Sequence, residues 1–142
     1  MTALARVQCT ALDCPDPLLL ARFYAELLGG EINRPDSRWT ADGDWVTLHT
    51  PTGTLLAFQR APDHRPPRWP DPAYPQQSHL DLGVDDLEAA HQRVLEAGGT
   101  LLDTSHDAKP RGFRVYADPA GHPFCLVREL PEDRQHYPEG TV

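Results

Sequence analysis

LDCPDPLLLARFYAELLGGEI, from Leu12 to Ile32, and LGVDDLEAAHQRVLEAGGTL, from Leu82 to Leu101, spell one pattern twice. Each runs from an apolar strand through an Asp-led helix start and an amphipathic helix to a Gly-Gly stop and a new strand. Asp16 followed by Pro17 is a helix N-cap with proline in the first turn, and Leu20, Phe23 and Leu27 then share one stripe. Leu87, Ala90 and Val94 make the corresponding stripe in the second copy, which Gly98-Gly99 closes as Gly29-Gly30 closes the first. The echo continues downstream. PTGTLLAFQR (Pro51–Arg60) aligns with PAGHPFCLVR (Pro119–Arg128), with Gly53 and Gly121 in register. A duplicated βαβββ module must bury two half-sheets, and the seam between such halves is a natural ligand cleft.

Working outward, the remaining strands fall at about Arg6–Asp13, Trp45–His49, Thr54–Arg60, His79–Val84, Thr100–Asp103, Phe113–Ala117 and Pro123–Glu129. The fold class is α+β, with two βαβββ modules forming a cupped mixed sheet and the helices on its outer face. Module one covers about 6–61 and module two about 76–129 of a single domain. Between them, Pro62, Pro66, Pro67, Pro70, Pro72 and Pro75 rule out regular structure and mark a linker over 62–75. The polar stretch 130–142 reads as a loose tail.

The chain has 142 residues and a formal charge of −8, from 13 basic and 21 acidic side chains. That balance argues against a nucleic-acid partner. No apolar run approaches the roughly 18 residues of a membrane span, and the first residues lack a signal-peptide pattern. Cys9, Cys14 and Cys125 cannot all pair and show no metal-type spacing, which fits reduced thiols in the cytoplasm.

DPLLLARFYAELLGG, HLDLGVDDL and DPAGHPFCLVR together resemble the vicinal oxygen chelate superfamily, which includes glyoxalase I, extradiol dioxygenases, fosfomycin-resistance enzymes and bleomycin-binding proteins. The resemblance spans roughly residues 6–129 and is closest to the glyoxalase-like subgroup. It implies a homodimer and a small-molecule ligand. It also implies four symmetric metal-ligand positions, which fall here on Cys9, Ala57, His79 and Cys125. Ala57 has no donor atom, and the cysteines stand where hard carboxylate or imidazole ligands belong, so the superfamily's metal chemistry is expected to be lost. Zinc at Cys9, His79 and Cys125 is the competing expectation, since thiolate and imidazole suit that ion. A cysteine on an apolar strand is more often a small buried hydrophobe, and the reading without a metal or other cofactor is preferred.

Alternation sends Leu56, Phe58, Leu80, Leu82, Val84, Phe124 and Leu126 toward the helices. The opposite face then carries Cys9, Ala11, Leu55, Ala57, Gln59, His79, Asp81 and Cys125, joined by Trp45, Thr47 and His49. Such polarity suits a cleft lining better than a sealed core. Gln59 and His79, with Asp81, are the expected polar contacts, and Trp45 and Thr47 the walls; Cys9 and Cys125 lie on the same surface. Each has a plainer reading: Trp45 as core aromatic, His79 as a strand histidine bonded to Asp81 or a carbonyl. Trp39 and Trp69 lie in loops and could cap the cleft.

The expected function is metal-independent binding of a small organic molecule, by a sequestering resistance-type protein or a carrier. The alternative is a lyase or isomerase of the glyoxalase type, using a divalent metal or His79 as general base.

Overall fold

The computed structural model describes residues 2–39 and 42–137. They form two compact units, Met1–His64 and Arg65–Val142, whose boundary falls inside the proline-rich stretch. The first unit holds β1 (Thr10–Cys14), α1 (Pro17–Leu28), β2 (Glu31–Ile32), β3 (Trp45–His49) and β4 (Leu55–Arg60). The second holds β5 (Leu80–Val84), α2 (Leu87–Ala97), β6 (Thr100–Asp103), β7 (Phe113–Ala117) and β8 (Pro123–Arg128). Each has the βαβββ order, so the α+β duplication read from the sequence is present.

Both sheets are four-stranded and mixed, in the orders β1-β4-β3-β2 and β5-β8-β7-β6. The first and last strands of each unit pair in parallel, and the other pairings are antiparallel. Register repeats as well: Ala11 lies beside Ala57 where Asp81 lies beside Cys125.

The helix starts follow the expected chemistry. The Asp16 carboxylate accepts from Leu19 N–H at 3.0 Å, and Asp86 accepts from Glu88 and Ala89 N–H at 2.9 and 3.0 Å. Each cap satisfies amide donors that a helix leaves open, and loss of one costs about 1 kcal/mol. At the far end, Gly30 adopts a φ of 105° and its missing side chain would overlap the His49 carbonyl. Only glycine fits both conditions.

The core of unit one is the layer between α1 and its sheet. Leu20, Phe23 and Tyr24 meet Val46, Leu48, Leu56 and Phe58, all buried, and Tyr24 stacks on Phe58 at 5.8 Å. Unit two is built likewise on Val94, Tyr116, Phe124 and Leu126. His91 of α2 adds a polar link to this layer, bonding Tyr116 Oη through Nδ1 at 2.9 Å.

Residues 130–137 depart from the loose tail expected over 130–142, whose last five positions lie outside the described residues. Pro131–His136 is a 3-10 helix. Asp133 accepts from Leu130 N–H and pairs with Arg111, Arg134 pairs with Asp85 at 2.8 Å, and Tyr137 Oη donates to Glu129 at 2.7 Å. Polar residues looked like solvated tail in the sequence because their partners lie far along the chain. Among the described residues no helix is long and apolar enough to cross a membrane.

Candidate functional site

In unit one, the sheet face opposite α1 is laid out by strand register. Trp45, Gln59 and Asp13 form one row across β3, β4 and β1, and Thr47, Ala57 and Ala11 form the next. The second row offers only small side chains, a low floor beside the Trp45 indole. Thr47, Ala57 and His49 are buried, Trp45 is half-buried, and Gln59 is exposed. Cys9 precedes β1, is half-buried, and lies within electrostatic reach of the Arg38 guanidinium.

The loop leading into β3 runs along this face. Asn33 ties its start to Thr47, donating N–H to the Thr47 carbonyl at 2.8 Å and accepting from Thr47 N–H through Oδ1 at 3.0 Å. Asp42 ties its end by accepting from Asp44 and Trp45 N–H, both at 2.9 Å. Between them, Arg38 grips Asp36 with two nitrogens and lies over the Trp39 ring at 5.5 Å. That grip holds the Asp36 carboxyl far below the usual carboxylate range. Trp39 in turn stacks on Trp45, centroids 5.7 Å apart and planes at 27°.

Four buried side-chain polar atoms lack a hydrogen-bond partner among the described residues: Trp39 Nε1, Trp45 Nε1, His49 Nε2 and Gln76 Oε1. Three of the four belong to this one face. A buried polar group left unpaired costs about 1–3 kcal/mol, and native proteins leave few of them. Burial also pushes the His49 imidazole below its ordinary pKa, helped by Arg34 and opposed by Asp36, so it is neutral at pH 7. The face thus combines an aromatic shelf with two unused N–H donors and a neutral imidazole nitrogen.

Unit two repeats the rows with different chemistry: Phe113, Val127 and Gly83, then Val115, Cys125 and Asp81. His79 directly precedes β5, and its Nε2 lies 3.4 Å from Asp81 Oδ1, both side chains being well exposed. One ligating atom each from His79, Asp81 and Cys125 falls within 4.8 Å of the others. The Cys125 thiol is pushed up to about 12, first by burial and then by the Asp81 carboxylate beside it. Sequence reading missed Glu129, whose side chain occupies the space where a Gly83 side chain would stand. A glycine in the middle of an apolar strand was the available signal.

The structure therefore assembles the expected residues within two separate sets: Trp45, Thr47 and Gln59 in unit one, with Cys9 near Arg38, and His79, Asp81 and Cys125 in unit two. The four superfamily metal positions do not suit a hard divalent ion. Ala57 supplies a buried methyl group, and Cys125 offers a soft sulfur where a hard ion takes oxygen or imidazole.

A cavity of about 540 Å³ also opens at the start of α2, between Glu88, Asp107, Arg114 and Arg128. Its charges already have partners. Arg114 bridges Asp107 and Glu88 at 2.8 and 2.9 Å, and Arg128 donates to the Lys109 carbonyl at 2.8 Å. This network holds β7 and β8 to the loop over 104–109 and to α2.

Residues 9–127 match the family model of the glyoxalase-like domain. The chain belongs to this family, within the vicinal oxygen chelate superfamily. Solved relatives share its fold. A glyoxalase/dioxygenase from Nostoc punctiforme is 21% identical over 92% of this chain and 98% of its own, with a TM-score of 0.69. The fosfomycin resistance protein FosX from Mesorhizobium loti is 11% identical over 94% and 99%, at 0.65. A glyoxalase/bleomycin resistance protein/dioxygenase family enzyme from Burkholderia phytofirmans is 15% identical over 89% and 100%, at 0.67. No curated protein matches the sequence. At these identities the glyoxalase-like relatives speak for the fold alone, and function rests on the side chains.

Proposed function

We propose that this glyoxalase-like protein binds a small organic molecule without a divalent metal, as a sequestering or carrier protein. The observation that carries the reading is the Trp45 face. There an indole beside a floor of small side chains has buried hydrogen-bonding atoms with no partner. A flat ligand would stack on Trp45, reach Gln59 at the open side, and offer its polar atoms to the unused donors. Metal independence is supported by the donorless Ala57, whose buried methyl group stands at one of the four ligand positions.

The experiment uses full-length protein purified without a polyhistidine tag, screened by thermal shift against organic compounds, with metal analysis alongside. A hit should raise Tm equally with and without chelator, since only a ligand of the native state shifts the transition. Trp45→Ala should then weaken that hit roughly tenfold and Gln59→Ala about fivefold. A divalent ion near one per chain, with Tm falling on chelation, sinks the reading.

A second reading is favoured by the grouping of His79, Asp81 and Cys125. On this reading Asp81, 3.4 Å from His79 Nε2, would orient His79 as a general base in a glyoxalase-type lyase or isomerase. The same trio would suit zinc better than a hard ion, because it offers sulfur and nitrogen. Cobalt titration separates these two uses, since a thiolate–cobalt absorption band appears only if Cys125 ligates. We also propose a cytoplasmic homodimer, to be checked by light scattering of the native protein.

A further inference from the structure

Each module has a cavity at the start of its helix, and the equivalent walls carry opposite chemistry. In module two the walls at the start of α2 are held by ions. Arg114 bridges Glu88 and Asp107, and Arg128 donates to the Asp107 and Lys109 carbonyls at 3.2 and 2.8 Å. In module one a cavity of about 400 Å³ opens at the start of α1, walled by Pro15, Pro17, Leu18 and Val46. The duplication sets Leu18 against Glu88, Val46 against Arg114 and Arg60 against Arg128. Both members of the Glu88–Arg114 pair are therefore replaced by aliphatic side chains. The walls that ions hold together in module two are hydrocarbon in module one.

Most polar groups around the module-one cavity are spent on the backbone. Asp16 accepts from Leu19 N–H at 3.0 Å, Asn33 Oδ1 from Thr47 N–H at 3.0 Å, and Asp42 from the Asp44 and Trp45 N–H groups at 2.9 Å. Arg60 is different. It follows Leu56 and Phe58 at period two in β4, which sends it to the helix side of the sheet, away from the Trp45 face. Its guanidinium pairs with Asp44 at 3.6 Å, both side chains being more than half exposed, and a pair of that kind holds little. A guanidinium has five N–H donors, so Arg60 can serve a second acceptor without giving up Asp44. Gly43 also lines the cavity, and an added Cβ there would meet no atom within 4 Å, so this side is unobstructed.

We propose that this cavity is a second ligand site, on the opposite side of the sheet from Trp45, for a neutral apolar molecule carrying one carbonyl-type acceptor. The apolar body lies against Pro15, Pro17 and Leu18, and the acceptor takes an N–H of Arg60. A volume of about 400 Å³ is in the range of small-molecule sites. The lining also selects against charge. An anion meets the Asp16 and Asp42 carboxylates. A cation meets Arg60 and finds those same carboxylates already turned to backbone amides. The site does not depend on the Trp45 face holding a ligand of its own.

The probe is 4-phenylbutan-2-one, a ring and short chain bearing one ketone. It is titrated into the full isotope-labelled chain up to its solubility limit, and amide chemical shifts are followed. The amides of Leu18 and Gly43 should move together while those of Ala11 and Ala57 stay in place, which locates binding in the native protein without any variant. Arg60→Leu should weaken the ketone about fivefold, for one lost hydrogen bond. Leu18→Glu puts module two's residue on the wall, and should weaken it roughly tenfold by setting a carboxylate against the apolar body. Leu18 is 40% exposed and the Arg60 side chain 53%, so both variants should fold. The anionic and cationic analogues, 4-phenylbutyrate and 4-phenylbutylamine, should each bind at least about fivefold more weakly than the ketone. No shift at the solubility limit, affinity unchanged in either variant, or a charged analogue that binds as tightly as the ketone overturns the proposal. Shifts centred on Ala11 and Ala57 overturn it too, while supporting the Trp45 face as the site.

Discussion

The two modules share strand order, register, capping aspartates and turn glycines, yet the equivalent positions of their sheets hold different chemistry. Where module one pairs Ala11 with Ala57, module two pairs Asp81 with Cys125. On the helix side, Val46 in module one corresponds to Arg114 in module two, the first in an apolar layer and the second between two carboxylates. Backbone geometry asks little of these positions beyond a side chain that fits its neighbours. Duplication therefore preserves the frame and leaves each face free to diverge, one toward an aromatic shelf and the other toward ionisable groups.

The largest test asks whether the two frames are equally dependent on their cores. Phe58 in β4 and Phe124 in β8 are the fully buried phenylalanines of the two helix-facing layers, at positions that correspond to Leu126 and Leu56, the first stacked on a helix residue and the second on its sheet neighbour Tyr116. Phe58→Ala and Phe124→Ala should each cost about 3–5 kcal/mol in urea unfolding. A near-neutral result for either would show that its module is held by something other than this layer.

Arg114→Val places module one's residue in module two. Arg114 is 11% exposed and Asp107 31%, so removing the guanidinium strands a carboxylate that is only partly reached by water. Buried pairs lose about 3–5 kcal/mol on such truncation. Solvent at Asp107 and at the exposed Glu88 reduces this to about 2 kcal/mol, read as a shift in the denaturation midpoint. If the variant is as stable as the native chain, the network around the α2 cavity is surface decoration.

His49 distinguishes the modules by pH, since Ala117 stands at the equivalent place in module two. Its imidazole is held below the ordinary value of 6.5 by burial, so below that pH the unfolded chain takes up a proton that the folded chain refuses. Stability should then fall as pH drops from 7 through 6.5 toward the folded-state pKa, and level off below it. His49→Phe should remove that component of the Tm-versus-pH slope between pH 7 and 5. An unchanged slope would mean that His49 titrates normally.

The smallest effect on stability, none at all, is expected from thiol labelling. With its pKa pushed up to about 12, Cys125 is roughly one part in ten thousand thiolate at pH 8. Cys9, half-buried, should react with a thiol reagent well before Cys125 and the fully buried Cys14. Asp81→Ala should speed Cys125 labelling, since a neighbouring negative charge no longer opposes its ionisation. Early labelling of Cys125 in the native protein would contradict the arrangement in module two.

Much of the fold was legible in the chain because its signals are local. Asp16 and Asp86 cap helices three residues away, and Gly53 and Gly121 turn hairpins at φ of 86° and 87°. Period-two alternation in the sequence assigns Leu56, Phe58, Phe124 and Leu126 to the helix-facing side, and all four are buried. The site was legible only in outline. Alternation grouped Trp45, Thr47, Gln59, His79, Asp81 and Cys125 as the lining of one cleft, without saying which unit holds which chemistry.

Which atoms on those faces are satisfied was decided by tertiary structure. That Trp39 folds back onto Trp45, that His49 is left without a partner, and that Glu129 lies over Gly83 depend on loops and register between distant segments. The same holds for the 3-10 helix over Pro131–His136, whose residues found Asp85 and Arg111 far along the chain. Periodicity and capping are written in neighbouring residues, so the sequence determined the modules and their faces. Hydrogen-bond satisfaction and the ionisation of Cys125 and His49 are sums over everything packed around an atom, and only the folded chain brings those terms together.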